Sequence, residues 1–287
     1  MHLHELWNKP ITDYEAERKR LETLFTKKPV YDDGDDDDII VVSGPTTLMG
    51  YLEKPFQHSR LGGMATDIRD CFSLLSPNWA HPSLEGLLLY CELMVNFMVE
   101  FKIPISRNRD AKALSDQICE KVMNILDNQG YQLHKRKNDG LIEILKKDAL
   151  TANVAEELTD ADATRAVLEY THYGLKGKLK KKRELLRIIG QYVEPILQDA
   201  EMKGTYGWLT KDLGCCLNSL HIRHNNKEGD KANAVVQAMS DGELEECYDN
   251  TYREMLLLIE LQRNLPFHRK VEGLREQLGG KKGGSAG

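Results

Sequence analysis

The residue types best suited to chemistry follow an apolar helical pattern in the second half of the chain. This pattern predicts a helix over residues 208–224, whose apolar face runs on into Arg223 and His224. Placing such groups on a buried face costs free energy unless a partner satisfies them. Arginine grips a phosphate with two donors, and histidine transfers protons near neutral pH. These groups suit metal-free cleavage of an RNA backbone, in which the ribose 2′-hydroxyl attacks its own phosphate.

Four consecutive residues form the candidate site. Arg223 would stabilise the charge that develops on phosphorus, and His224 would act as general base or acid. Asn225 would position the phosphate or the histidine, and Asn226 would add a neutral hydrogen-bond donor for RNA. The structural alternative is that Arg223 and His224 meet the negative end of the helix dipole and pair with a nearby acid. The two asparagines would then suit the end of the helix, because Asn tolerates a left-handed conformation.

A basic run opens the preceding predicted helix, which covers residues 176–201. Its cationic members are Lys178, Lys180, Lys181, Lys182 and Arg183. Such a run is either a solvated helix face or, in a protein that handles RNA, a track for backbone phosphates. We assign these five residues as candidate RNA-binding positions.

No pattern in the sequence specifies a metal or a cofactor. The aspartate-rich residues 32–38 lack the spacing and the terminal Glu of a calcium loop and are typical of a solvated loop. His221 and His224 lie three positions apart on a predicted helix, but no nearby Cys or acid completes a metal site. Glycine-rich nucleotide loops and serine-hydrolase motifs are missing as well. We therefore predict no metal and no cofactor.

Helical periodicity dominates the elements that would position these residues. Two short runs flank Asn138-Asp-Gly140 and predict a β-hairpin, because Asp and Gly tolerate tight turns. Ser240 and Glu243 form a capping box that starts the last helix. Helices are predicted at residues 11–28, 84–102, 109–128, 164–173, 176–201, 208–224 and from 240 onwards. The fold class is mainly α, a helical bundle with one β-hairpin and a C-terminal four-helix bundle.

Four segments follow from this pattern. They are an N-terminal helix with an acidic loop (1–60), a helical region with the hairpin (61–149), the bundle (150–278) and a disordered glycine-rich tail (279–287).

Of the 287 residues, 41 % are hydrophobic, which excludes wholesale disorder. The net charge of −6 argues against a histone-like coat on nucleic acid. Six Cys without CxxC spacing, and no signal peptide or membrane span, predict a cytoplasmic protein with reduced thiols.

The segment Asn218-Ser-Leu-His-Ile-Arg-His-Asn-Asn226 resembles the signature helix of the HEPN superfamily, especially its bacterial abortive-infection and toxin-type versions. The segments Tyr170-Thr-His-Tyr-Gly-Leu-Lys-Gly-Lys178 and Leu244-Glu-Glu-Cys-Tyr-Asp-Asn-Thr-Tyr252 support the resemblance, which covers roughly residues 150–265. It implies an α-helical bundle that forms homodimers and brings two motifs together. Many members of that superfamily are metal-independent endoribonucleases, and others are inactive RNA binders or partners of a nucleotidyltransferase.

One departure from the family pattern keeps two functions open. The family places a second His four to six positions after the Arg, where residues 227–229 are Lys, Glu and Gly. The first hypothesis is a metal-independent endoribonuclease or RNA-targeting effector in phage defence, with the second His224 supplied by a homodimer partner. The alternative is a catalytically silent RNA-binding or regulatory module that acts with a partner protein. A regulatory or neutralising partner is compatible with both, and whether the chain is an enzyme stays open.

Overall fold

The chain forms two compact units in a computed structural model, Met1–Lys147 and Asp148–Gly287. The structure describes residues 11–31, 45–59, 65, 67–75, 77, 82–223 and 236–280. The fold is mainly α-helical with a β-hairpin, as the sequence predicts. Within the described residues, no helix combines the length and the apolar composition needed to cross a membrane.

The first unit is a helical body with two small strand pairs. Its elements are α1 (Tyr14–Thr26), β1 (Pro29–Val30), β2 (Thr46–Thr47), α2 (Leu48–Phe56), α3 (Ile68–Leu75), α4 (Leu84–Glu100), α5 (Lys102–Ser106), α6 (Arg109–Gln129), β3 (Tyr131–Lys135) and β4 (Ile142–Lys146). Asn108 caps the start of α6, and Gly130 ends it in the left-handed conformation with φ 75°. Phenylalanine side chains fill the core of this unit, and the Phe25 and Phe97 rings stack 5.9 Å apart.

The predicted hairpin is confirmed as the antiparallel pair β3–β4, in which Leu133 lies opposite Ile144. The outer backbone of β4 is satisfied by side chains of α4. Asn96 donates to the Ile142 carbonyl at 2.8 Å and accepts from the Ile142 N–H at 2.9 Å. Glu92 accepts from the Ile144 N–H at 2.8 Å. These bonds occupy groups that an edge strand would otherwise expose.

The short antiparallel pair β1–β2 is an element that the sequence did not predict. Two residues on each side leave too little pattern for a strand to be recognised. The predicted acidic loop at 32–38 and the apolar run at 39–42 lie outside the described residues.

The second unit is a bundle of helices. Its elements are α7 (Ala149–Glu157), α8 (Ala161–Tyr170), a 3₁₀ turn (Tyr173–Leu175), α9 (Leu179–Gln198), α10 (Ala200–Thr205), α11 (Gly207–Ser219) and α12 (Asp241–Gly280). The predicted capping box starts α12, since Glu243 accepts from the Ser240 N–H at 2.8 Å. The last helix continues to Gly280, so it includes the first two residues of the predicted tail. Residues 281–287 lie outside the described part of the chain.

The core of the bundle lies between α9, α11 and α12. Leu186, Ile189 and Val193 of α9 are fully buried against Leu217 of α11 and Met255 of α12. Gly190 allows this close approach, because a Cβ at that position would lie 3.4 Å from Leu217 Cδ2. The predicted apolar faces of these helices therefore supply the core.

Candidate functional site

The segment that carries Arg223 is a turn rather than a helix. Helix α11 ends at Ser219, and His221 adopts a left-handed conformation with φ 57°. The prediction that the helix extends to residue 224 is therefore wrong. Because the chain turns at His221, Ile222 follows Leu220 into the core and is only 1 % exposed. Arg223 consequently does not continue the buried face of the helix, as its sequence position had suggested.

Arg223 is half-buried and has partners within its own unit. Its guanidinium forms an ion pair with Glu194 of α9 and donates to Asn218 Oδ1 at 3.2 Å. The Arg223 N–H donates to the Leu217 carbonyl at 2.9 Å, which satisfies a free carbonyl at the end of α11. The structural alternative, in which Arg223 pairs with a nearby acid, predicts a partner such as Glu194. A phosphate that approached Arg223 would compete with Glu194 for the guanidinium.

The other candidate residues at this site lie outside the described residues. These are His224, Asn225 and Asn226, so their catalytic and RNA-binding roles stay predictions. Among the residues that are described, no group of three His, Cys, Asp or Glu side chains is arranged to hold a metal ion.

The basic run divides into exposed and buried members. Lys178, Lys180 and Lys181 are exposed at the start of α9, and Lys181 pairs with Glu169 at 2.9 Å. Arg183 is partly exposed. Lys182 is only 6 % exposed, because its side chain points into the bundle. The five candidate RNA-binding residues therefore do not form one continuous surface.

Lys182 lies at the centre of a charged cluster that joins three helices. Its ammonium lies 2.6 Å from Asp249 Oδ1 and 2.8 Å from Glu245 Oε1, both on α12. The Tyr170 hydroxyl of α8 donates to the same Asp249 oxygen at 2.9 Å. The Gly177 N–H donates to Glu245 at 2.7 Å. The two segments that supported the family resemblance thus meet around one buried lysine.

The cluster continues through a pair of tyrosines. The rings of Tyr170 and Tyr252 stack with centroids 4.2 Å apart. The Tyr252 hydroxyl donates to the Val167 carbonyl at 2.9 Å and contacts Thr151 Oγ1 at 2.9 Å. Thr151 in turn bonds Asp148, which caps α7. Polar contacts therefore connect α7, α8, α9 and α12 through the interior of the bundle.

Burial and the neighbouring charges shift several pKa values in this network. Burial and then the nearby Asp249 carboxylate raise the pKa of Tyr170, so its hydroxyl stays a donor. Burial also raises the pKa of Tyr252. For Glu245, burial favours the neutral form, but the bonds from Lys182 and Gly177 outweigh it and lower the pKa. The cluster is therefore one ammonium held between two carboxylates by hydrogen bonds.

Sequence reasoning missed both Glu194 and the role of Lys182. A signal for Lys182 was present, since it lies four and seven positions before Leu186 and Ile189 on the buried face. Its partners lie 63 and 67 positions away at Glu245 and Asp249, and no local pattern joins them. Glu194 gave no signal as the partner of Arg223, because their contact depends on how α9 packs beside α11.

No protein-family model matches the chain, and neither a curated protein nor a solved structure shows significant similarity to it. The relationship to the HEPN superfamily therefore stays a prediction from the sequence alone.

Proposed function

We propose that the second unit binds RNA as a HEPN-like, RNA-targeting effector, and that Arg223 contacts the phosphate at the reacting position. The observation that carries this proposal is that Arg223 lies on a turn with its side chain 25 % exposed, directly before His224 in the sequence. A guanidinium at such a place can exchange its carboxylate partner for a phosphate, which it can bind through two donors.

The start of α9 supports the same proposal. Lys178, Lys180 and Lys181 surround the N-terminal end of this helix, where the helix dipole is already positive. Cations at this end of a helix destabilise it, and an anion bound there relieves the repulsion. RNA phosphates would supply that anion, and each contact would release counterions.

In the catalytic form of the proposal, the 2′-hydroxyl loses its proton to His224 and attacks the adjacent phosphorus. The bond to the 5′-oxygen breaks, and that oxygen takes a proton from a second acid. The products carry a 2′,3′-cyclic phosphate and a 5′-hydroxyl. The second acid would be His224 of another copy, which requires a homodimer. Sedimentation would then give about twice the 32.7 kDa of one chain.

The second candidate is a silent RNA-binding or regulatory module. Two observations favour it, namely the ion pair that Glu194 forms with Arg223 and the missing second His at residues 227–229. In this form RNA binds but is not cut, and a partner protein supplies the chemistry.

Total RNA incubated with the protein in EDTA tests both candidates. The catalytic form predicts fragments with cyclic phosphate ends, which Arg223→Ala and His224→Ala abolish without loss of helical circular dichroism. Arg263→Ala is the matched control, because Arg263 is also partly exposed and paired with acids on this unit. If RNA binds without being cut, and Arg223→Ala is the only one of these substitutions that weakens the binding, the result supports the silent module. If RNA binds equally to all variants, Arg223 is not a phosphate contact and the proposal fails.

A further inference from the structure

The last helix extends beyond the bundle core and carries an apolar stripe that no other described element of the second unit covers. Leu265 is the last residue of α12 in the core. Beyond it, Phe267, Leu274 and Leu278 are 67 %, 49 % and 70 % exposed, and Val271 between them is partly exposed. A monomer has little reason to keep several large apolar side chains together in water.

The spacing of the stripe is that of a coiled-coil seam. Phe267, Val271, Leu274 and Leu278 follow one another at intervals of four, three and four residues. At 100° per residue these positions span about 60° of the helix circumference. Helices that lie in a membrane surface present a wider apolar face of about 100° or more. The narrow stripe therefore favours a partner helix over a lipid surface.

The orientation of the extension is fixed at its base. Arg269 forms an ion pair with Glu201 of α10, and the His268 ring lies 6.4 Å from the Tyr206 ring. Both anchoring residues lie away from the centre of the stripe, by about 90° for His268 and 170° for Arg269. The contacts hold the helix without using the apolar face.

Charge identifies the kind of partner. Lys270 and Arg275 flank the stripe on opposite sides, each about 70° from its centre, and both are exposed. The acids of this segment, Glu272 and Glu276, lie more than about 120° from the centre and face away. A second copy in parallel would set Lys270 against Arg275, and an antiparallel copy would set Arg275 against His268. Neither arrangement brings an acid to a cation.

We propose that residues 267–278 bind an amphipathic helix of a partner protein, one whose apolar stripe is flanked by Asp or Glu. Apolar side chains of the partner would pack between those of α12, and its acids would pair with Lys270 and Arg275. This surface is independent of Arg223 and of the RNA proposal.

Two synthetic peptides of three heptads test the proposal against the full chain. Both carry Leu at the seam, and they differ in having Glu or Lys at the flanking positions. Fluorescence anisotropy should give about tenfold tighter binding of the Glu peptide, and added salt should shrink that preference. The combined variant Lys270→Glu/Arg275→Glu should reverse the preference.

The combined variant Phe267→Ser/Leu274→Ser should abolish binding of the Glu peptide while circular dichroism stays unchanged. Leu74→Ser/Ile103→Ser is the matched control, because both side chains are exposed in the other unit. Equal binding of the two peptides, or none, overturns the proposal. Self-association that the Phe267→Ser/Leu274→Ser change abolishes would overturn it in favour of a second copy. Binding to phosphatidylserine vesicles that the same change abolishes would overturn it in favour of a membrane.

Discussion

Lys182 of α9 donates a hydrogen bond to Asp249 of α12, with 2.6 Å between Nζ and Oδ1. The ammonium is buried, whereas 42 % of the Asp249 side chain is exposed. A buried ammonium loses its hydration, and two carboxylates at hydrogen-bond distance compensate that loss. The pair therefore fixes how α9 and α12 pack, beside the tyrosine stack that links α8 to α12.

Replacing Lys182 by Met should destabilise the second unit. The change leaves Asp249 and Glu245 close together without their cation. Breaking a buried ion pair costs several kcal/mol, and the exposure of Asp249 reduces that to about 2 kcal/mol. Urea unfolding followed by circular dichroism measures the change. Lys180→Met is the control, since this exposed neighbour should change stability by less than about 0.5 kcal/mol. Equal effects of the two variants would contradict the assignment.

Glu245→Gln should lower stability at pH 7 but not in acid. The folded-state pKa of Glu245 lies below its ordinary value, so its carboxylate stabilises the fold once it is ionised. That stabilisation is present above the unfolded pKa of about 4.3 and is lost as the pH falls through the folded pKa. Thermal unfolding at several pH values should therefore show a wild-type advantage that shrinks as the pH falls below about 4.3 and disappears below the folded-state pKa. Glu246→Gln, at an exposed site on the same helix, is the control.

Glu254→Gln should have the opposite effect. Its Oε2 is buried and has no hydrogen-bond partner among the described residues, and burial followed by the nearby Asp212 raises its pKa. Ionisation of this group therefore costs stability, and the cost grows as the pH rises from the unfolded pKa of about 4.3 to the higher folded pKa. The Gln variant should unfold at a higher temperature than wild type at pH 7. Its advantage should vanish below about pH 4, where both side chains are neutral. An unchanged midpoint at pH 7 would show that Glu254 is solvated.

Local signals account for what the sequence predicted correctly. The capping box at Ser240 and the Asn138-Asp-Gly140 turn each depend on a few neighbouring residues. The helical spacing of apolar residues alone predicts the buried faces of α9 and α12. These features were sufficient to predict a helical bundle with a hairpin.

The end of α11 shows why the candidate site was harder to predict. The helical spacing of its apolar residues continues through Leu220, and no Gly follows that would indicate the end of a helix. The helix nevertheless ends at Ser219, because His221 adopts a positive φ. The turn places Ile222 in the core, and no local sequence pattern signals that tertiary contact. Similarly, the composition of the lysine run is typical of an exposed helix face. Its one buried member, Lys182, is paired with acids of α12 that lie far away in the sequence.

Reversing the charge of the exposed lysines should weaken RNA binding. The variant is Lys178→Glu/Lys180→Glu/Lys181→Glu, which spares Lys182 because its substitution would disturb the fold. Each lost phosphate contact lowers the slope of log affinity against log salt by about one. Binding titrations at several salt concentrations measure that slope. Lys19→Glu/Lys27→Glu/Lys28→Glu, in the other unit, is the control for net charge. An unchanged slope would mean that the lysines are only a solvated face.

Glu194→Gln should strengthen RNA binding if Arg223 is a phosphate contact. The Glu194 carboxylate now occupies the guanidinium that the phosphate would need, so the two anions compete for it. Glutamine keeps the size of the side chain and removes its charge. An exposed ion pair contributes at most about 1 kcal/mol, so the expected gain in affinity is about fivefold. The gain should disappear in the combined variant Glu194→Gln/Arg223→Ala, because no guanidinium is then released.

Glu157→Gln separates this competition from a general effect of charge. Glu157 pairs with Arg263 on the same unit, so its substitution removes one negative charge and one of the two acidic partners of an arginine elsewhere. If Glu157→Gln increases RNA affinity as much as Glu194→Gln does, net charge explains the gain and Arg223 has no special role. If the gain of Glu194→Gln persists after Arg223→Ala, the phosphate binds elsewhere. A gain limited to Glu194→Gln and dependent on Arg223 would establish Arg223 as the phosphate contact and Glu194 as its competitor.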